Sequence, residues 1–220
     1  MARYNATIAC IFPMEKRVYQ EAGAEIEFVG HPLLDIVKIE DSQEEIYNDL
    51  ELDPDKRVVG LMPGSRSSEI EHLLPEMLKG AEKLQQDFPD LQFVLPLAPD
   101  VDRDKVSKIA GKHSLVLKIV EKYTYQTMEI ADLMITASGT ATLESMIMGT
   151  PMIVLYETSW STYQLGSRLM KVDHIGMPNI IAGKEVVPEL IQEQVNADNI
   201  YEEAIYLLKR DYVLQDLEKE

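Results

Sequence analysis

Between residues 56 and 156 short apolar runs alternate with longer stretches of helical spacing, and that alternation leaves few folds open. The runs are RVVGLMPGS, LQFVLPLA, SLVLKIVE, DLMITASG and TPMIVLYE. Between them lie SSEIEHLLPEMLKGAEKLQQDFP, DVDRDKVSKIAGK, KYTYQTMEIA and TATLESMIMG. Apolar runs without polar alternation read as strands buried on both faces. Strands separated by single helices make βαβ units, whose strands are parallel. The predicted class is therefore α/β: a Rossmann-like parallel sheet covered by helices on both faces.

The flanks continue the pattern more loosely. ATIACIFP and EIEFVGHPLLD read as strands around a short helix, MEKRVYQEAG, that ends with Gly23 in the C-cap position. Residues 40–57 are polar and predict a short helix and a linker. STYQLGSRLMKV predicts a long helix, and ADNIYEEAIYLLKRDYVLQDLEKE a helical tail. In the helix after GSR, Ser68 and Glu71 have the spacing of a capping box, and Leu73, Leu74, Met77 and Leu78 recur at helical intervals.

Composition removes several function classes. The chain has 220 residues and is 45% hydrophobic, enough to bury a core and unlike a disordered chain. Its formal net charge of −17 speaks against non-specific binding to nucleic acid or an anionic membrane, which favour basic faces. The single cysteine, Cys10, lies in an apolar run and reads as core rather than nucleophile, with no partner for an internal disulfide. No run is long enough to span a bilayer and no signal-peptide pattern opens the chain, so a soluble cytosolic protein is expected.

Ligands of open α/β sheets bind where strands end and helices begin. Two such junctions are rich in small residues. In MPGSRSSE, Gly64 permits a tight turn, Ser65 adds a hydroxyl, and Arg66 brings a planar cation suited to phosphate. The spacing is not that of a P-loop, and a capped helix with an exposed arginine is the plainer alternative. In TASGTATLE, Gly139 ends a strand, and Ser138, Thr140, Ala141 and Thr142 leave room for a ligand beside free helix N–H groups. Glu144, further into that helix, offers a carboxylate to neighbouring hydroxyls such as those of a ribose. The alternative is that it only complements the helix dipole.

Other constellations lead nowhere. Asp100, Asp102 and Asp104 imitate a calcium loop, but Lys105 stands where that loop needs glycine, so they mark a helix start. His31, His72, His113 and His174 lack metal-ligand spacing, and no G-x-S-x-G elbow is present. His31, in GHPLLD, reads as a turn residue. Trp160, Tyr163, Leu165, Leu169 and Met170, with Arg168 and Lys171 behind them, form either a buried stripe or a membrane-seeking one.

Four blocks together resemble a known family. IACIFPMEKRVYQEAGAEIEFVGHPLLD, LMPGSRSSEIEHLLPEML, TASGTATLESMIMGTPMIVLYETS and MPNIIAGKEVVPELIQ are similar, in order, to lipid-A-disaccharide synthase. That resemblance, from about Ala6 to Arg210, implies an inverting GT-B glycosyltransferase of lipid A biosynthesis. The implied reaction moves 2,3-diacylglucosamine from its UDP donor to 2,3-diacylglucosamine 1-phosphate, without metal or other cofactor. Action at the cytoplasmic face of the inner membrane comes with it. So does a donor site in which Gly64, Ser65, Arg66 and the turn Ser138–Thr142 meet the pyrophosphate and Glu144 the ribose. Asn179 would face the donor sugar or phosphate, with Glu189 and Gln192 nearby.

By the same resemblance, residues 1–38 correspond to the end of an acceptor-side Rossmann domain and the interdomain crossing. Residues 39–220 correspond to the UDP-sugar-binding domain. Family members are much longer at the amino end, so the catalytic base is expected outside this chain and the fragment is expected to be inactive alone. Other GT-B chemistries, such as a UDP-N-acetylglucosamine epimerase, remain alternatives, as does a UDP-sugar-binding domain without catalysis. Apolar surface left bare by a missing domain would favour a homo-oligomer.

Overall fold

The computed structural model describes residues 7–158 and 174–209. The chain divides into two compact units, Met1–Lys38 and Ile39–Glu220.

The first unit is small. Strands β1 (Thr7–Cys10) and β2 (Glu25–Phe28) pair in parallel, Thr7 opposite Glu25 and Cys10 opposite Phe28. Helix α1 (Pro13–Glu21) connects them, and Gly23 turns the chain back with φ 74. A one-turn helix α2 (Leu33–Ile36) follows. The His31 ring takes the turn role read from sequence: its Nδ1 accepts from the Leu33 N–H at 3.2 Å.

The second unit carries the predicted sheet. After helix α3 (Gln43–Asp49) come β3 (Val58–Met62), α4 (Ser67–Asp87), β4 (Gln92–Leu97) and α5 (Arg103–Ala110). They are followed by β5 (Leu117–Glu121), α6 (Thr124–Ile130), β6 (Leu133–Ala137), α7 (Thr140–Ile147) and β7 (Met152–Tyr156). Beyond the undescribed stretch lie α8 (Met177–Ala182), β8 (Glu189–Ile191) and α9 (Ala197–Leu208). The six strands β3–β8 pair in parallel in the order β5-β4-β3-β6-β7-β8. Helix STYQLGSRLMKV and the Trp160 stripe lie outside the described residues.

Alternate strand residues explain why both faces are covered. Val59, Leu61, Phe93, Leu95, Leu133, Ile135, Ile153 and Leu155 pack on one face with Leu74, Met77 and Leu78 of α4 and Ile200 and Ala204 of α9. Val58, Val94, Val120, Met134, Met152 and Val154 pack on the other with Ile46 of α3 and Met128 and Ile130 of α6. Strand side chains point to opposite faces in turn, so a strand apolar at every position needs a helix layer on each side.

The order also sets the site. The chain runs outward from β3 through β4 to β5, then returns to lay β6 on the other side of β3. Connections leaving β3 and β6 therefore diverge, which opens a crevice at their carboxyl ends. Among the described residues no helix is long and apolar enough to cross a membrane.

Candidate functional site

At that crevice the ends of β3, β4 and β6 and the turns leaving them line a cavity of about 660 Å³. The β3–α4 turn contributes Gly64, Ser65 and Arg66, and the first turn of α4 adds Glu69. Gly64 is left-handed, with φ 102, and a Cβ there would overlap the Glu69 carboxylate. Glu69 Oε2 accepts from the backbone N–H of Ser65 at 3.1 Å and of Arg66 at 3.2 Å. Its Oε1 accepts from Arg66 Nη1 at 2.6 Å.

The capping therefore differs from the sequence expectation. Helix α4 begins at Ser67, and the reaching-back carboxylate is Glu69, not Glu71. Ser68 lies inside the helix, and Glu71 pairs across to Lys105. The Arg66 side chain is 79% exposed, so its guanidinium keeps donors free for a ligand.

The opposite wall is the β6–α7 turn, with Ser138, Gly139, Thr140 and Ala141 lining the cavity. Gly139 precedes α7, so the N–H groups of Thr140 and Ala141 have no intrahelical partner and carry the positive end of the helix. With φ 171 the Gly139 backbone is extended, a conformation open to any residue, and nothing stands within 4 Å of where its Cβ would be. What glycine provides there is open space. Thr142 departs from its expected place: it is buried, does not line the cavity, and its Oγ1 donates to the Gly139 carbonyl at 2.7 Å. Its hydroxyl braces the turn.

A third junction, EKYTYQ between β5 and α6, also lines the cavity through Lys122, Thr124, Tyr125 and Gln126. Lys122 is a non-glycine residue with φ 66, a left-handed backbone that costs energy and is held by its surroundings. The Tyr125 hydroxyl donates to Glu144 Oε1 at 3.0 Å. Burial, then the hydrogen bond to Glu144 and its charge, push the Tyr125 pKa up, so the hydroxyl stays a donor through neutral and mildly alkaline pH. This junction lacks small residues, which is why the sequence did not single it out. Its signal was position: a strand end followed by a helix on the same edge of the sheet.

The remaining predicted residues stand together, but not at the cavity. Asn179, on α8, is fully buried. Its Nδ2 donates to Val187 O at 2.8 Å and Glu189 Oε1 at 2.7 Å, and its Oδ1 accepts from the N–H groups of Val186 at 2.7 Å and Val187 at 3.0 Å. The Glu189 carboxylate also accepts from the N–H groups of Ile175 and Gly176, both at 2.9 Å. Gln192 forms a reciprocal pair with the Thr158 backbone. Glu189 lies beside Asn179 as expected, yet these polar atoms hold the chain entering and leaving β8 in place. Among the described residues no group of three His, Cys, Asp or Glu side chains is placed to hold a metal ion, and Asp102 caps α5 instead, accepting from the Asp104 N–H at 2.9 Å.

A parallel sheet whose order reverses at β3 and β6, with two helix starts opening onto one cavity there, defines a Rossmann-like α/β domain of the ligand-binding kind. The chain belongs to the lipid-A-disaccharide synthetase family, whose model matches residues 1–219. Lipid-A-disaccharide synthase of Geobacter sulfurreducens is 45% identical over 193 residues, covering 88% of this chain and 50% of that protein. The enzyme of that name from Persephonella marina is 36% identical over 231 residues, covering 100% of this chain and 61% of its own length. The chain thus spans about half the length of the curated relatives it matches. Among solved structures, UDP-GlcNAc 2-epimerase from Neisseria meningitidis bound to UDP-GlcNAc superposes with a TM-score of 0.62 at 15% identity, covering 92% of this chain and 53% of that one. At that identity the likeness shows the fold alone.

Proposed function

We propose that residues 39–220 form the UDP-sugar-binding domain of a lipid-A-disaccharide synthase. In this reading the domain holds the UDP donor while 2,3-diacylglucosamine passes to 2,3-diacylglucosamine 1-phosphate. Residues 1–38 then belong to the acceptor-side domain and the crossing between the two. The observation that carries the reading is the cavity at the β3/β6 switch point. It is lined by Gly64, Ser65 and Arg66 on one side and by Ser138, Gly139, Thr140 and Ala141 on the other, with Glu144 beyond them.

The chemistry follows from those groups. As the glycosidic bond to the donor breaks, negative charge grows on the departing UDP. The start of α7 and the Arg66 guanidinium meet that charge with fixed dipoles and a cation, without reorganisation during the step. The Glu144 carboxylate accepts from the ribose hydroxyls. Both carboxylates of the cavity, Glu69 and Glu144, are engaged by protein donors. By the family resemblance, the base that takes the acceptor's hydroxyl proton is assigned to the acceptor-side domain rather than to residues 39–220. Family membership supports the substrate pair, and a cavity of about 660 Å³ lined by two helix starts supports the nucleotide.

Calorimetric titration of the purified chain with UDP tests this. One saturable site is expected, with UMP binding more weakly because it lacks the second phosphate. A folded chain that takes up no UDP overturns the reading.

A further inference from the structure

Tyr125 and Glu144 come from different helices, 19 residues apart in sequence, and both line the cavity. Tyr125 occupies the second position of α6, just after the left-handed Lys122. Glu144 lies in the second turn of α7. We infer that Tyr125 is the positioning residue that sets ribose recognition: its hydroxyl fixes Glu144 Oε1, leaving Oε2 as the acceptor for the sugar hydroxyls of a ribonucleotide. The inference rests on the reading of this cavity as a UDP site.

The physical case is one of orientation. A glutamate has three rotatable bonds, and holding a free one in a single rotamer costs side-chain entropy. Vicinal ribose hydroxyls present two donors at a fixed spread, so they reward a carboxylate already held in one plane. The bond at 3.0 Å supplies that hold from a neutral donor, which leaves the charge on Glu144 for the ligand. Removing the hydroxyl alone, as in Tyr125→Phe, keeps the ring packing and frees the carboxylate. The loss then falls on ligands that use the ribose hydroxyls and spares those that do not.

The experiment compares UDP with 2′-deoxy-UDP on wild type, Tyr125→Phe, Glu144→Gln and the double variant, by titration calorimetry. Wild type is expected to prefer UDP about tenfold or more, as for a hydrogen bond to a charged group. Tyr125→Phe is expected to reduce that preference about fivefold, and to have no further effect in the Glu144→Gln background. A merely structural tyrosine would weaken both nucleotides alike and leave their ratio intact. If wild type discriminates but Tyr125→Phe discriminates equally well, or if the two substitutions act independently, the positioning role is overturned while the UDP site stands. If wild type binds both nucleotides equally, the ribose role of Glu144 fails and takes this inference with it. If wild type binds neither, the proposed function itself fails.

Discussion

Arg66 Nη1 donates to Glu69 Oε1 at 2.6 Å, and both side chains line the same cavity. The pair is largely exposed on the arginine side, so it contributes little stability, on the order of 0–1 kcal/mol. A diphosphate arriving there would compete with Glu69 for the guanidinium and is bidentate where the glutamate is not. Arg66→Ala is thus expected to leave the urea midpoint nearly unchanged and to weaken UDP about tenfold or more. Calorimetry and urea denaturation on the same preparation check both halves. A variant that loses stability but keeps UDP affinity would remove Arg66 from the site.

Two glycines of the cavity make opposite predictions. Gly64 has φ 102, and an added Cβ would meet the Glu69 carboxylate, so Gly64→Ala should destabilise by about 1–2 kcal/mol or more. Gly139 is extended with free space around it, so Gly139→Ala should change stability by less than about 0.5 kcal/mol. Its methyl would nevertheless stand where a phosphate is proposed to approach the start of α7. UDP affinity should fall in Gly139→Ala without loss of fold. Urea unfolding and UDP titration of the two variants separate these effects. An unaltered affinity would move the phosphate away from the β6–α7 turn.

What the sequence made legible follows from what each element is made of. Strands β3 to β7 were readable because strands buried on both faces are continuously apolar, and the helices between them are long enough to show their period. The strand β8 is three residues at the sheet edge, and α8 is six residues beginning next to Pro178; neither is long enough to carry a period. The start of α4 was read two residues too late, because Glu69 and Glu71 offer the same capping chemistry and the sequence does not show which one reaches back to the turn after Gly64. At the site, eight of the twelve predicted residues line one cavity. Thr142, Asn179, Glu189 and Gln192 do not, since polar side chains satisfy backbone groups as readily as they meet ligands. Tyr125 was invisible because its partner lies on another helix.

Asn179 offers a direct contrast between an architectural and a ligand role. Its buried amide makes four hydrogen bonds, donating to Val187 O and Glu189 Oε1 and accepting from the N–H groups of Val186 and Val187. Asn179→Leu would leave those groups without partners and should cost about 2–4 kcal/mol. The folded fraction should still bind UDP within about twofold of wild type, since the residue lies off the cavity. Unchanged stability with a large loss of affinity would return Asn179 to the donor.

Glu82 gives the chain a pH dependence whose sign is fixed. On α4, its Oε1 accepts from the Ser114 N–H at 2.6 Å and the Ser114 hydroxyl at 3.0 Å, and its Oε2 lies 3.1 Å from His113 Nδ1. Burial works to raise its pKa, but the His113 and Ser114 bonds together outweigh it and hold the carboxyl below its ordinary 4.5. A carboxyl with a lowered folded-state pKa binds its proton more readily when unfolded. Its contribution is therefore present above the ordinary value and is lost as pH falls through the folded one. Glu82→Gln should lower Tm at pH 7 by about 2–4 °C, corresponding to roughly 1 kcal/mol. The gap between variant and wild type should close as the pH falls below the ordinary carboxyl value of 4.5 and through the lowered folded-state one. Thermal unfolding of both proteins across that range measures it. A gap that persists at the acid end would mean that the charge on Glu82 is not what joins α4 to the segment entering β5.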